Sequence, residues 1–236
     1  MHTVIHRADA RGYFDHGWLK TYHTFSFGHY QNPERMQFGK LRVLNDDVVA
    51  PGGGFGAHSH ENMEIVSIPL SGALSHKDSA GHEETIAEGD VQVMSAGTGI
   101  WHSEFNHSET ETVNFLQIWI LPAVRGVAPR YDQKHFDRKQ RRNSLQTVIA
   151  PGAQEEALWL TQQAYCSLAD IDSGVRLDYR LRESGNGVYL FVIEGEIAIG
   201  EERLGKRDGM GIHASDEVTI RATQLSELLL IEVPMS

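Results

Sequence analysis

Residues 52–74 read Gly52-Gly53-Gly54-Phe55-Gly56-Ala57-His58-Ser59-His60-Glu61-Asn62-Met63-Glu64-Ile65-Val66-Ser67-Ile68-Pro69-Leu70-Ser71-Gly72-Ala73-Leu74. A glycine-rich approach, a short apolar run and a closing glycine predict strand, turn and strand rather than helix. His58 and His60 stand two apart, and side chains alternate along a strand, so both imidazoles share one face. With 13 histidines in 236 residues, chance alone supplies about 0.7 such pairs, and the pair by itself decides nothing. Its surroundings decide. His102-Ser103-Glu104 repeats the spacing with a third imidazole and a carboxylate. Two strands then offer two inward donors each, a set suited to a first-row divalent metal. Four protein ligands on an octahedral metal leave two positions open, as catalysis requires and a structural site does not.

Outward from this stretch the same texture continues. Runs rich in Val, Ile, Leu, Phe and Tyr, among them Gly39 to Leu44, Asp90 to Met94, Asn114 to Ile120, Glu217 to Ala222 and Leu228 to Val233, alternate with Gly, Asn and Asp punctuation. Many short strands at near-even spacing predict an all-β sandwich or barrel. The polar, basic segment from Arg125 to Arg142 is the natural boundary, giving a metal-binding unit over 1–130 and a second unit over 131–236. The halves resemble each other: Val66 to Leu74 has a counterpart in Leu190 to Ile197, each followed by a Gly/Asp pair, Gly89-Asp90 and Asp208-Gly209. A duplicated barrel is expected. Counting back from Gly195 by the interval separating His60 from Gly72 reaches Glu183, with Leu181 two before it. Beyond Asn143 there is no histidine pair, so the second barrel is expected to be metal-free and His213 to be isolated.

Composition narrows the function classes. Hydrophobic content of 40% and charged content of 22% belong to a soluble globular protein, and no apolar run is long enough to span a bilayer. A formal charge of -11 repels a phosphate backbone, so direct nucleic-acid binding is not expected, and the basic run Lys134 to Arg142 reads as a solvated connection. The single Cys166 and an N-terminus without an apolar signal segment predict a cytoplasmic protein. Cys166 reads as a small buried apolar residue. Trp101 and Phe55 flank the donors as pocket-mouth or packing residues, while His23, His29, His76, His82, His107 and His135 lack a partner at ligand spacing and are expected at the surface or in hydrogen bonds.

Gly52, His58-Ser59-His60, Glu64 and Gly72 are similar to the first cupin motif, and Gly89, Ala96-Gly97, His102 and Asn106 to the second. Three further stretches, His23 to Tyr30, Leu41 to Asp47 and Met94 to Ile100, together with His102-Ser103-Glu104, resemble the pirins, a bicupin family. The resemblance implies two facing cupin barrels with one metal, iron or else manganese, nickel, copper or zinc, in the N-terminal barrel. It also implies that the carboxylate ligand is Glu104 of the second motif rather than Glu64 of the first. Glu64 shares strand parity with His58 and His60 and is predicted to face the same interior, as a rival ligand or as a partner orienting a ligand imidazole. The activity implied is metal-dependent cleavage of a flavonol such as quercetin by O2, with Glu104 also the base that takes the hydroxyl proton. The alternative is an iron- or redox-responsive regulator acting through a protein partner, as the mammalian pirins are linked to transcriptional cofactors.

Overall fold

The structure, a computed structural model, describes residues 2–153 and 155–236. It is all-β: two seven-stranded and two four-stranded sheets account for the strands among the described residues. Each half pairs one large sheet with one small sheet. In the N-terminal half the small sheet runs in the order Gly54–His60, Ile100–Asn106, Ala73–Asp78, Glu83–Ala87. In the C-terminal half it runs Arg176–Arg180, Glu217–Ala222, Glu196–Ile199, Glu202–Gly205, the same sequence of connections.

Glycine makes the corner in both. Gly72 (φ 75°) and Gly195 (φ 86°) carry the chain from large sheet to small. A Cβ on Gly195 would stand 2.2 Å from the carbonyl oxygen of Leu225, so neither backbone angle nor space admits another residue. These are the two glycines at which the halves align in sequence.

The large sheets pack face to face. Because strand faces alternate, Val66, Ile68, Leu116 and Ile118 point away from their own barrel and meet Leu158, Cys166, Phe191, Leu229 and Ile231 in one apolar cluster. Arg11, Asp46 and Arg207 form a nearly buried charge cluster beside it, Asp46 accepting from both guanidinium groups at 3.3 and 3.2 Å.

The sheets do not separate at residue 130. His2–His6 pairs with Gly209–His213, so the first strand completes the C-terminal large sheet. Arg130–His135, read from sequence as part of a solvated connection, pairs with Asp90–Ser95 on the edge of the N-terminal sheet. Arg138 and Arg141 that follow are ion-paired to Asp170, and Arg142 to Asp172. Each half thus holds an edge of the other's sequence, which exchanges backbone hydrogen bonds for what would be two exposed edges.

Candidate metal centre

His58 and His60 sit on Gly54–His60, and His102 and Glu104 on the neighbouring Ile100–Asn106, with His102 directly opposite His58. The three imidazoles form a nearly equilateral group, ring centroids 4.4 to 4.9 Å apart. Their donor nitrogens all lie within 4.8 Å of one another. His58 Nδ1 is 2.8 Å from the carbonyl oxygen of Gly56. A carbonyl only accepts, so Nδ1 carries the hydrogen and Nε2 keeps its lone pair for a metal. His60 packs edge-on against Trp119 at 4.9 Å.

His102 is the most telling residue. It is 3% exposed, and neither ring nitrogen has a hydrogen-bond partner. Burial first, and then the neighbouring His58, His60 and His76, push its pKa down to about 2. His60 falls to about 4, by burial and then His58. Neutral imidazoles with free lone pairs are what a divalent metal binds, and an orphaned buried donor is otherwise costly.

Glu104 falls in a second donor group, with His76 and His102, which shares His102 with the first but does not include His58 or His60. Its carboxylate accepts from Ser67 Oγ at 3.2 Å and Gln117 Nε2 at 3.0 Å. Burial raises its pKa to about 7 despite those two bonds. A carboxyl so placed trades protons near neutrality and is stabilised as an anion by a cation beside it.

His76, which has no ligand-spaced partner in a count of histidines alone, belongs to this site. It pairs across strands with Glu104, is 1% exposed, and its donor atoms stand within 4.8 Å of those of His102 and Glu104. Its Nε2 bonds Asp78, which also takes His82 Nδ1 at 2.9 Å, and Tyr131 stacks on the His82 ring and lies tilted against that of His76. The signal was in the sequence: His76-Lys77-Asp78 has the same two-residue spacing, with a carboxylate in place of the second imidazole. His23, expected at the surface or in hydrogen bonds, is buried as well, with Nδ1 unpartnered.

Glu64 corrects the parity argument. Asn62 takes a left-handed turn (φ 49°) between Gly54–His60 and Glu64–Ser71, which lie in different sheets, and the alternation restarts there. The Glu64 carboxylate points out of the barrel, accepting from Ser95 Oγ and from the backbone and hydroxyl of Thr161 in the other half. It neither belongs to the donor groups nor touches a ligand imidazole; it ties the barrels together. In the second barrel the counterpart of His58 is Tyr179 rather than Leu181. Counted from the corner glycines, Ala222 faces Ile197 where Asn106 faces Leu74, so Ile220, opposite Leu177, stands where Glu104 does, and Val218, opposite Tyr179, where His102 does.

Fold and site together define a bicupin whose N-terminal barrel carries a His/Glu cluster of the kind that holds a single divalent metal. The pirin family model matches residues 4–120 and that of the quercetinase C-terminal cupin domain residues 147–233. The chain is 39% identical over 234 residues to a protein of Escherichia coli named quercetin 2,3-dioxygenase, covering 98% of each. It is 40% identical over 225 residues to a pirin-like protein of Caulobacter vibrioides, covering 95% of this chain and 96% of that one. The crystal structure of a bacterial pirin from Escherichia coli in complex with nickel(II) superposes with a TM-score of 0.94 at 36% identity, over 100% of both chains. The chain belongs to the pirin family.

Proposed function

We propose that this chain is a metal-dependent dioxygenase that opens flavonols such as quercetin with O2, using one metal per chain held by His58, His60, His102 and Glu104. The observation that carries this reading is His102, buried with both nitrogens unpartnered between two further imidazoles and a carboxyl. Sulfur is absent from this donor set, and three nitrogens with one oxygen suit iron, the metal we assign, while manganese, nickel, copper and zinc share its preferences. The relative crystallised with nickel(II) supports a divalent ion in this protein. When bound, the metal supplies a Lewis-acid docking point that favours the deprotonated flavonol.

The protein's own residues do the rest. Glu104, with a pKa near 7, accepts the 3-hydroxyl proton, and Ser67 and Gln117 hold its carboxylate in place while it does so. Trp119, against His60, and the apolar clusters at either end of the barrel exclude water. The unit over 1–130 is assigned the chemistry and that over 131–236 a structural role. No helix of the described residues is long and apolar enough to cross a membrane, and the lone buried Cys166 fits a cytoplasmic setting.

The test is oxygen uptake. Metal-loaded protein should consume O2 with quercetin and leave a flavone lacking the 3-hydroxyl untouched; equal rates on both, or none on either, would overturn the reading. The second reading, a regulator working through a protein partner, has one observation in its favour. The strand bearing His102 and Glu104 presents Trp101 and Phe105 on its outer face, 58% and 41% exposed. A partner seated there would touch the metal-bearing strand, and capture of that partner in the absence of any flavonol turnover would favour this reading.

A further inference from the structure

A recess of about 150 Å³ lies beside the donor cluster, walled by Phe14, Phe27 and Phe55, with His23, Asn45 and Asp47 among the residues that line it. That is the size of cavity known to take one benzene ring. Its polar lining is incomplete. Asn45 and Asp47 are 3% and 4% exposed, yet Asn45 Oδ1 and Asp47 Oδ1 have no hydrogen-bond partner, nor has His23 Nδ1. Buried side-chain oxygens are ordinarily satisfied, and two orphaned acceptors in one aromatic recess mark a place where donors arrive with a ligand.

The recess adjoins the site on two sides. His23, Asn45, Gln117 and Ser67 form one cross-strand row, and Gln117 and Ser67 are the residues that hold Glu104. Phe27 packs edge-on against Trp119, and Trp119 against His60. A flat molecule reaching from the donor cluster into the recess therefore lays one ring between phenyl groups, with its edge toward the two free oxygens.

We propose that this recess binds a hydroxylated aromatic ring, stacked among Phe14, Phe27 and Phe55 and read through its hydroxyl hydrogens by Asn45 Oδ1 and Asp47 Oδ1. For the identity of the ligand this rests on the flavonol reading: the ring is the pendant phenyl of a flavonol, and the recess selects flavonols hydroxylated there. An unsubstituted phenyl fills the same space but leaves both acceptors dry. A site built to bond a hydroxyl discriminates far more strongly against its loss than an apolar pocket does against an added group.

The experiment compares quercetin, whose pendant ring carries two hydroxyls, with galangin, whose pendant ring carries none. Full-length protein is titrated with each, metal-free and nickel-loaded under argon, following tryptophan fluorescence. Quercetin is expected to bind on the order of tenfold or more tighter in both states. Asn45→Leu and Asp47→Leu, close in shape and without the acceptor, should remove the preference while leaving galangin affinity and the melting temperature near those of the parent. Asn45→Asp should retain it. Equal affinities in the parent, a preference untouched by both leucine variants, or no binding of either flavonol would overturn the proposal. Failure of the dioxygenase reading is separate, since it is read from oxygen uptake: a protein that prefers quercetin without consuming O2 keeps the recess and loses the reaction.

Discussion

The two barrels share connections, corner glycines and strand pairing, and differ in what fills them. The C-terminal interior is one continuous apolar cluster, running from Ala169 and Ile171 through Leu190, Ile197, Ile212 and Ile220 to Leu230. The N-terminal interior is broken. Its apolar residues form two small clusters, one around Leu74, Ile86 and Phe115 and one around Ile65, Met94 and Ile100. Between them lie His76, His102, Glu104, Asn45, Asp47, Ser67 and Gln92, all buried. The same scaffold spends one interior on cohesion and the other on donors.

Buried carboxylates sharpen the contrast. Glu232 in the C-terminal half is 0% exposed and accepts from Tyr179 Oη, Asn186 Nδ2 and the backbone of Arg182 and Glu183. Glu104 has two side-chain donors and beside them histidines with idle nitrogens. A fully satisfied buried charge is structural, while one surrounded by orphaned donors is waiting for a cation. The donor cluster and the uninterrupted apolar interior therefore lie in different halves, which share one apolar interface.

The largest effect that would break this comparison is on metal content. His58→Ala combined with His60→Ala should take bound metal from about one equivalent per chain to none, with turnover lost; elemental analysis after dialysis showing retained metal would refute the assignment. Next comes Glu104→Gln, which keeps shape and removes the charge. Turnover should fall by about 10²- to 10⁴-fold while metal content falls far less, measured side by side on one preparation. Glu64→Gln should leave metal content unchanged, since that carboxylate faces Thr161.

Stability effects are smaller and of opposite sign in the two barrels. Val218→His puts an imidazole into the apolar interior of the second barrel, and should cost about 2–3 kcal/mol in denaturant unfolding. His102→Leu, at the matching position, removes an unsatisfied polar group and should stabilise the metal-free protein by up to about 1 kcal/mol. Equal losses at both sites would mean the interiors are not as different as they look.

The smallest effect is on pH. Glu104 is held near pKa 7 by burial, so below that pH the metal must displace its proton and affinity should fall about tenfold per unit. Above pH 7 the carboxylate is already ionised and affinity should level off. His60 and His102, held at about 4 and about 2, remain neutral throughout that range and add no slope. Calorimetry in buffers of different ionisation enthalpy counts the released proton directly; release of none at pH 6 would remove Glu104 from the ligand set.

What could be read without a structure was whatever depends on neighbours in the chain. Period-two alternation within a single strand put His58 with His60 and His102 with Glu104, and an isolated glycine closing each apolar run marked the corners at Gly72 and Gly195. All-β architecture followed from strand-length apolar runs between turn residues, and duplication from their repetition. Folding decided the rest, because a strand's parity is local and does not survive a corner. Asn62 resets it, which is why Glu64 turns to the other barrel instead of the donor cluster. His76 enters the site only because Ala73–Asp78 pairs beside Ile100–Asn106, some 25 residues away. The exchange of His2–His6 into the C-terminal sheet has no local signature at all, since an edge's unpaired hydrogen bonds are satisfied by whichever strand the completed fold brings alongside.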